Sequence, residues 1–343
     1  MVRRLVYHNP TASPSAKPFL FRENEMILLV TMSLDPHTDL VVDALREIGV
    51  PFFRYNTDLA DQYGIEISLD GGSIISRKTN KIVHLETVRS VWVRRRAVPS
   101  SLKNVADGYI QYLEEQWNLF TGILLSAING SALWVNHPLS YEVSKNKLHQ
   151  LKVARGLGLL VPSTCITNAP EIFLQLVSQQ ERILYKPVSS SVIDEGKKAI
   201  YANLIDADTL PSQAVIDGLA VSPSIFQSYI EKQYELRITV VGSKVFAARI
   251  NSQDSEVSHV DWRRYDFDNV RHEPATLPKE VEQKCLALMN KLSLHCGAID
   301  MIVTPNNEYV FLEVNANGQW AWIELLTGLP ISKEIAKLLV SPF

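Results

Sequence analysis

The chain has 343 residues, enough for about two domains of ordinary size, with 46% hydrophobic and 21% charged residues. That mixture excludes disordered, collagen-like and coiled-coil classes. Lys plus Arg total 34 and Asp plus Glu total 37, a formal net charge of -3, so no global positive field recruits nucleic acid or an anionic membrane, and neither is expected as a partner.

Residues 1–25 are polar, carry Pro10, Pro14 and Pro18, and read as an extension. The apolar knot Phe19-Leu20-Phe21 interrupts it and is expected to dock on an apolar groove, because three such residues gain more from burial than ordering a short tail costs. The N-terminus lacks the apolar run of a signal peptide and no stretch reaches about 18 apolar residues, so a cytoplasmic protein is expected. Met26 to Met32 reads as a buried strand, Val41 to Ile48 as a helix stopping at Gly49, and Pro51 to Tyr55 as a second strand, a βαβ opening with a parallel pair. A hairpin turning at Gly71-Gly72 and a strand at Val88 to Val93 follow. Apolar spacings of three and four from Val105 to Leu124 predict a long helix packed on the sheet, and Val143 to Leu157 predicts another. Beyond a boundary near residue 140 come a helix from Ala169 to Ser178 and strands at Ile183-Leu184-Tyr185, Ser224 to Ile230, Leu236 to Val241 and Val245 to Ile250. A helix from Glu280 to Leu292 and a hairpin-like pair, Ala298 to Val303 and Tyr309 to Val314, complete the pattern.

Asp300 lies on one strand of that last pair, and Glu313 and Asn315 sit two apart on the other, where the period of two points both to one face. If the strands pair, three hard oxygen ligands converge, the donor set that Mg²⁺ takes beside phosphate; solvent-facing acids at strand ends are the alternative. Lys186 leaves a strand end before a loop of small residues that includes Ser189 and Ser190, a stretch able to offer N–H groups and hydroxyls to phosphate, and Lys147 opens a separate helix. Either lysine alone also suits a solvated surface. Gln227, Ser228, Tyr229 and Ile230, with Glu235 beyond them, suit an extended edge strand that offers its backbone to an adenine ring and a carboxylate to ribose hydroxyls, or equally an ordinary edge strand. Asp261-Trp262-Arg263 places a guanidinium where it can fork onto phosphate or onto a surface acid. Arg94, Arg95 and Arg96 follow a strand end and form a local cationic site for an acidic substrate, with Arg94 and Arg96 on one face; a solvated charge run is the alternative.

Other chemistries lack their parts. The sequence has no G-x-S-x-G, H-E-x-x-H or Walker G-x-x-x-x-G-K motif, and no G-x-G-x-x-G after the first strand. Cys165, Cys285 and Cys296 are an odd number without a C-x-x-C pair, against a disulfide framework or structural zinc.

The ordered set Lys147, Lys186, Gln227 to Glu235, Asp261-Trp262-Arg263, Asp300, Glu313 and Asn315 resembles the ATP-grasp superfamily, with RimK-type ligases the nearest general pattern. Arg94-Arg95-Arg96 followed by Pro99, Asn146-Lys147, and the tail Asn315-x-Asn317-Gly318-Gln319-Trp320-x-Trp322 resemble the microviridin-type graspetide synthetases. The resemblance implies an α/β, ATP-grasp fold: an N-terminal parallel-sheet domain (26–140) after the extension (1–25), then central (141–230) and C-terminal (231–343) α+β lobes that clamp ATP. It implies ATP and Mg²⁺ as cofactors, Lys147, Lys186, Ser189, Ser190, Gln227 to Ile230, Glu235 and Arg263 around the nucleotide, Lys186 and Arg263 in catalysis, and Asp300, Glu313 and Asn315 on the metal. The implied activity is activation of Asp or Glu side chains of a ribosomal precursor peptide as acyl phosphates, followed by ω-ester or ω-amide ring closure, in a cytoplasmic homodimer with Arg94 to Arg96 on the peptide. Two rivals stand beside it: a RimK-like ligase adding an amino acid to a protein or small acid, and a nucleotide-dependent binding protein without turnover.

Overall fold

The computed structural model describes residues 25–341 except 129, 190, 191, 194–197, 209, 210 and 265. Ser190 and the Phe19-Leu20-Phe21 knot lie outside the described residues.

The expected βαβ opening is present. Strand β1 (Met26–Thr31) is buried almost throughout, helix α1 (Pro36–Ile48) is capped by Asp35 accepting from the His37 N–H, and β2 (Phe52–Asn56) runs parallel to β1. Gly49 closes α1 at φ 79°, the left-handed conformation in which its N–H reaches back to the Leu45 and Arg46 carbonyls. Strands β3 (Tyr63–Ser68), β4 (Gly71–Ser76) and β5 (Ile82–His84) form a separate antiparallel meander. Its turn falls at Leu69-Asp70, and Gly71-Gly72 open β4 instead of forming the turn. A Cβ on Gly72 would stand 2.8 Å from the Glu66 carbonyl oxygen and from Leu85 Cδ1.

Strand β6 (Val88–Val93), helix α2 (Asp107–Ser126) and strand β7 (Leu133–Val135) complete a parallel sheet of order β2-β1-β6-β7. Helix α2 packs on it through Trp117, Leu124 and Leu125; Tyr109, Tyr112, Leu119 and Ile123 are exposed. The single helix expected after Val143 is two: α3 (Pro138–Ser144) and α4 (Lys147–Gly156). Asn146 makes the break, because its side chain caps the second helix by accepting from the His149 N–H.

The central lobe contains β8 (Thr164–Thr167), α5 (Pro170–Gln179), β9 (Arg182–Pro187), the short pair β10 (Val192–Ile193) and β11 (Lys198–Ala199), β12 (Asn203–Asp206), α6 (Gln213–Gly218) and β13 (Ser224–Ser228). Its antiparallel sheet has the order β12-β9-β13-β8, and Phe173, Val177, Ile183, Ile216 and Phe226 seal it against α5 and α6.

The C-terminal lobe is built on β14 (Tyr234–Val241), β15 (Lys244–Ile250), β16 (His272–Ala275), α7 (Lys279–Lys291), β17 (Cys296–Val303) and β18 (Tyr309–Asn315). Its sheet order is β16-β15-β14-β17-β18, all antiparallel. Leu236, Ile238 and Val240 alternate along β14 into a core with α4 and α7, which leaves Glu235 and Arg237 for the opposite face. The chain then returns to the first domain: α8 (Ala321–Thr327) and α9 (Ile331–Val340) place Ile331, Ile335, Ala336 and Leu339 against Val41 and Leu45 of α1 in one continuous core. The parallel N-terminal sheet and the two antiparallel lobes are the expected architecture. Among the described residues no helix is long and apolar enough to cross a membrane.

Candidate active site

Strands β17 and β18 pair so that Asp300 faces Glu313, and a one-residue bulge at Leu312 breaks the register. The bulge resets the side-chain phase of β18: Phe311 enters the core, while Leu312 and Glu313 both line a cleft. The Asn315 Nδ2 stands 3.3 Å from Asp300 Oδ2 and 3.3 Å from Glu313 Oε1, so the three candidate donors converge. Arg237 Nη1 donates to both Asp300 oxygens at 2.8 Å. The donors are two carboxylates and an amide, hard oxygen ligands suited to Mg²⁺.

Four cations surround this corner. Lys147 Nζ, on the first turn of α4, is 3.4 Å from Glu313 Oε2. Burial opposes ionisation of Glu313, yet Lys147, Arg263 and Lys186 outweigh it and hold its carboxyl down at about 2. Burial also lowers Lys186, to about 8, and its Nζ donates to Gln227 Oε1 at 2.7 Å. Arg263 is pinned by a two-point fork onto Asp261, Nε to Oδ1 at 2.8 Å and Nη2 to Oδ2 at 2.7 Å. Despite burial, Arg263 holds the Asp261 carboxyl down at about 2.

A cleft of about 1100 Å³ between the central and C-terminal lobes reaches from Tyr229 and Ile230 to Lys186, Arg263 and Glu313. Glu235 lies in it, buried and paired with Lys232, whose Nζ also donates to the Val260 carbonyl at 3.0 Å. Burial raises the Glu235 carboxyl to about 7 against the pull of Lys232. A second cavity, about 2570 Å³, opens between the N-terminal domain and the C-terminal lobe and shares Lys147, Ser189, Trp262, Arg263, Asp300 and Glu313 with the first. A cationic corner with a carboxylate pair thus joins a narrower cleft to a wider one, both lined by polar and apolar groups. This is the layout for transferring a phosphoryl group from a nucleotide to a larger acceptor.

Residues 144–339 match the RimK-like ATP-grasp domain. The chain belongs to the RimK-like ATP-grasp family of ligases. Residues 26–141 of the ligase match the MvdD pre-ATP-grasp domain. The macrocyclase MdnC of Microcystis aeruginosa, solved bound with precursor peptide MdnA, is 32% identical to the ligase with a TM-score of 0.80, covering 92% of this chain and 99% of that one. A RiPP-associated ATP-grasp ligase of Chryseobacterium gregarium, in complex with ADP and a leader and core peptide, is 30% identical at a TM-score of 0.82, covering 92% and 96%. These likenesses place the ligase in the graspetide-synthetase family. Homo sapiens N-acetylaspartylglutamate synthase A is 23% identical over 216 residues, 60% of this chain and 52% of that protein. The ligase spans about half the length of the curated relatives it matches.

The sequence-derived residues do not all lie where expected. Lys147, Lys186, Ser189, Gln227, Ser228, Tyr229, Ile230, Glu235, Arg263, Asp300 and Glu313 line the first cleft, and Asn315 lines the second. Gln227 and Ser228 are not on an edge: β13 is paired on both sides, by β8 and β9, and β14 by β15 and β17. The segment lining the cleft between the lobes is the link after β13, with Tyr229, Ile230 and Lys232. Arg94 and Arg96 do not share a face. Arg94 is 3% exposed, pairs with Asp35 at 3.5 Å, and donates through Nη1 to the Asn317 and Gly318 carbonyls, whereas Arg95 and Arg96 are exposed on the second cavity. The inward turn has a physical reason: Asp35 and the 317–318 carbonyls meet the end of β6 there and supply charge-assisted hydrogen bonds in place of the water the guanidinium loses. Sequence reasoning missed Arg237, although its spacing of two from Glu235 on one strand is the signal that finds it, and missed Lys232.

Proposed function

We propose that the ligase activates Asp or Glu side chains of a ribosomal precursor peptide as acyl phosphates and closes them onto Ser, Thr or Lys side chains of the same peptide as ω-ester or ω-amide rings. The observation that carries this reading is the junction of the two cleft volumes at Asp300, Glu313, Lys147 and Arg263, in a chain similar along nearly its whole length to a macrocyclase bound with its precursor. The narrower cleft takes the nucleotide, with the base toward Tyr229 and Ile230 and the phosphates toward Lys186, Lys147 and Arg263. Asp300, Glu313 and Asn315 hold Mg²⁺, which when bound offsets phosphate charge. The exposed Arg95 and Arg96 gather the acidic core peptide in the wider cavity.

Carboxylates are weak electrophiles and repel the γ-phosphate, so the work of the chain is charge neutralisation and alignment. A peptide carboxylate oxygen attacks the γ-phosphorus and ADP leaves. The hydroxyl or amine then attacks the acyl carbon, phosphate leaves, and the nucleophile gives up its proton. Lys186 and Arg263 stabilise the transferring charge, Arg263 already oriented by its fork on Asp261. No nucleophile from the protein is required.

The test is mass spectrometry of a candidate precursor, rich in Thr/Ser and Glu/Asp and encoded beside the ligase, incubated with ATP and Mg²⁺. Loss of one water per ring, matched by one ADP per ring, is expected. Addition of a free amino acid would favour the rival that adds an amino acid to a protein or small acid, and ADP without a coupled product would refute macrocyclisation. A homodimer is part of the same proposal, supported by the exposed stripe Tyr109, Tyr112, Leu119 and Ile123 on one face of α2. Light scattering should give twice the chain mass for wild type and the chain mass for Leu119→Glu; a monomeric wild type rejects the dimer.

A further inference from the structure

The turn after β18 carries Asn315 and is held almost entirely by side chains from elsewhere. Gln150 of α4 brackets Val314, donating to its carbonyl at 2.9 Å and accepting from its N–H at 2.8 Å. Within the turn the Gly318 N–H closes onto the Asn315 carbonyl at 2.9 Å. The next four carbonyls are each taken by a side chain: Ala316 by Asn136 Nδ2 at 3.0 Å, Asn317 and Gly318 by Arg94 Nη1 at 3.2 and 3.4 Å, and Gln319 by Arg237 Nη2 at 2.9 Å. Arg94 and Asn136 belong to the N-terminal domain, at the ends of β6 and β7, and both are buried. Asn136 also ties β17, donating to the Cys296 carbonyl and accepting from the His295 and Cys296 N–H groups. Arg94 is itself oriented by Asp35, which accepts from Thr31 and Thr38 at 2.8 and 2.9 Å.

We infer that the N-terminal domain completes the metal corner of the C-terminal lobe, with Arg94 and Asn136 as positioning residues that hold the Ala316–Gly318 turn and through it Asn315. Neither side chain bonds to Asp300, Glu313 or Asn315, so they act on the backbone that presents a ligand. Outer-shell groups of this kind fix ligand orientation, and losing one characteristically costs roughly ten- to hundredfold in metal affinity. The turn has no slack to take up a lost partner: a Cβ on Gly318 would lie 2.5 Å from Ala298 Cβ and 2.9 Å from Arg237 Nη2. The domain whose Arg95 and Arg96 face the peptide cavity therefore also sets the metal ligands.

This inference rests on the reading of Asp300, Glu313 and Asn315 as the Mg²⁺ site, and the experiment separates the two. Mn²⁺ binding to the ADP complex is followed by electron paramagnetic resonance, with metal-free ADP affinity measured by calorimetry on the same samples. Glu313→Gln tests the site itself: unchanged Mn²⁺ affinity there overturns the metal reading. Given a loss in Glu313→Gln, Arg94→Lys, which keeps the charge beside Asp35 but not the reach to two carbonyls, should weaken Mn²⁺ by about tenfold or more with metal-free ADP affinity little changed. Asp35→Asn, which loosens Arg94 without shortening it, should shift Mn²⁺ the same way by less and serves if Arg94→Lys fails to fold. Ser90→Ala is the control, since Ser90 on β6 bonds the Leu339 carbonyl across the same domain seam without touching the turn. A folded Arg94→Lys or Asp35→Asn with wild-type Mn²⁺ affinity, or a Ser90→Ala that weakens Mn²⁺ as much, overturns the positioning role.

Discussion

Lys186 links the electrostatics of the cleft to a measurable pH dependence. Its ammonium is half-buried at the end of β9, with one hydrogen bond to Gln227. Burial lowers it first, Arg263 and Lys147 lower it further, and Glu313 and Asp261 pull it back, leaving it at about 8 against an ordinary 10.5. A polyphosphate binds the charged form. Metal-free ADP affinity in the wild type should therefore have its Lys186 break near pH 8 and fall above it by up to one decade per pH unit, reaching about tenfold weaker at pH 9. Glu235, raised by burial to about 7 in the same cleft, adds a shallower limb as it ionises, and Glu235→Gln should remove that limb alone. Lys186→Arg keeps the charge at every accessible pH and should flatten the profile above 8; Lys186→Met should weaken ADP about ten- to hundredfold at pH 7, the range for a lost charge-assisted hydrogen bond. Calorimetric titrations from pH 6 to 9.5 read all four proteins. A wild-type affinity that stays flat up to pH 9.5, or a Lys186→Arg that retains the break near 8, would refute the assignment of this titration to Lys186.

Glu313→Gln and Asn315→Asp should both abolish or strongly reduce product, the first by removing charge from the metal corner and the second by adding it, with ATP still bound in a filter assay; wild-type turnover in either variant contradicts the metal assignment. Arg95→Ala combined with Arg96→Ala should raise the peptide KM and leave nucleotide affinity within about twofold, because both side chains line the wider cavity and neither lines the nucleotide cleft. A loss of nucleotide affinity would move these arginines to the other site. Gly318→Ala should destabilise the fold by about 1 to 3 kcal/mol through overpacking against Ala298 and Arg237, and an unchanged denaturation midpoint would show that the turn has room.

Residue type and spacing alone determined that the chain is an ordinary globular α/β protein, that it opens as βαβ, and that its acids and cations fall at strand ends and helix starts. The pairing of Glu313 with Asn315 was legible because the period of a strand is two. Local rules carry no information about what arrives from distant parts of the chain, and there the tertiary structure decided. The bulge at Leu312 sends Phe311 inward and Glu313 outward, and it depends on the register of β17 against β18 rather than on the composition of either. Arg94, Arg95 and Arg96 are identical in type and adjacent, yet Asp35 and the Asn317 and Gly318 carbonyls make one a buried brace while its neighbours stay exposed. A stretch of β-type residues does not announce its place in a sheet, so β13 read as an edge and proved interior. The periodicity of α2 marked an apolar stripe without naming what faces it, and in the folded chain Trp117 and Leu124 of that stripe reach the core while Tyr109 and Tyr112, nearer the helix start, stay exposed.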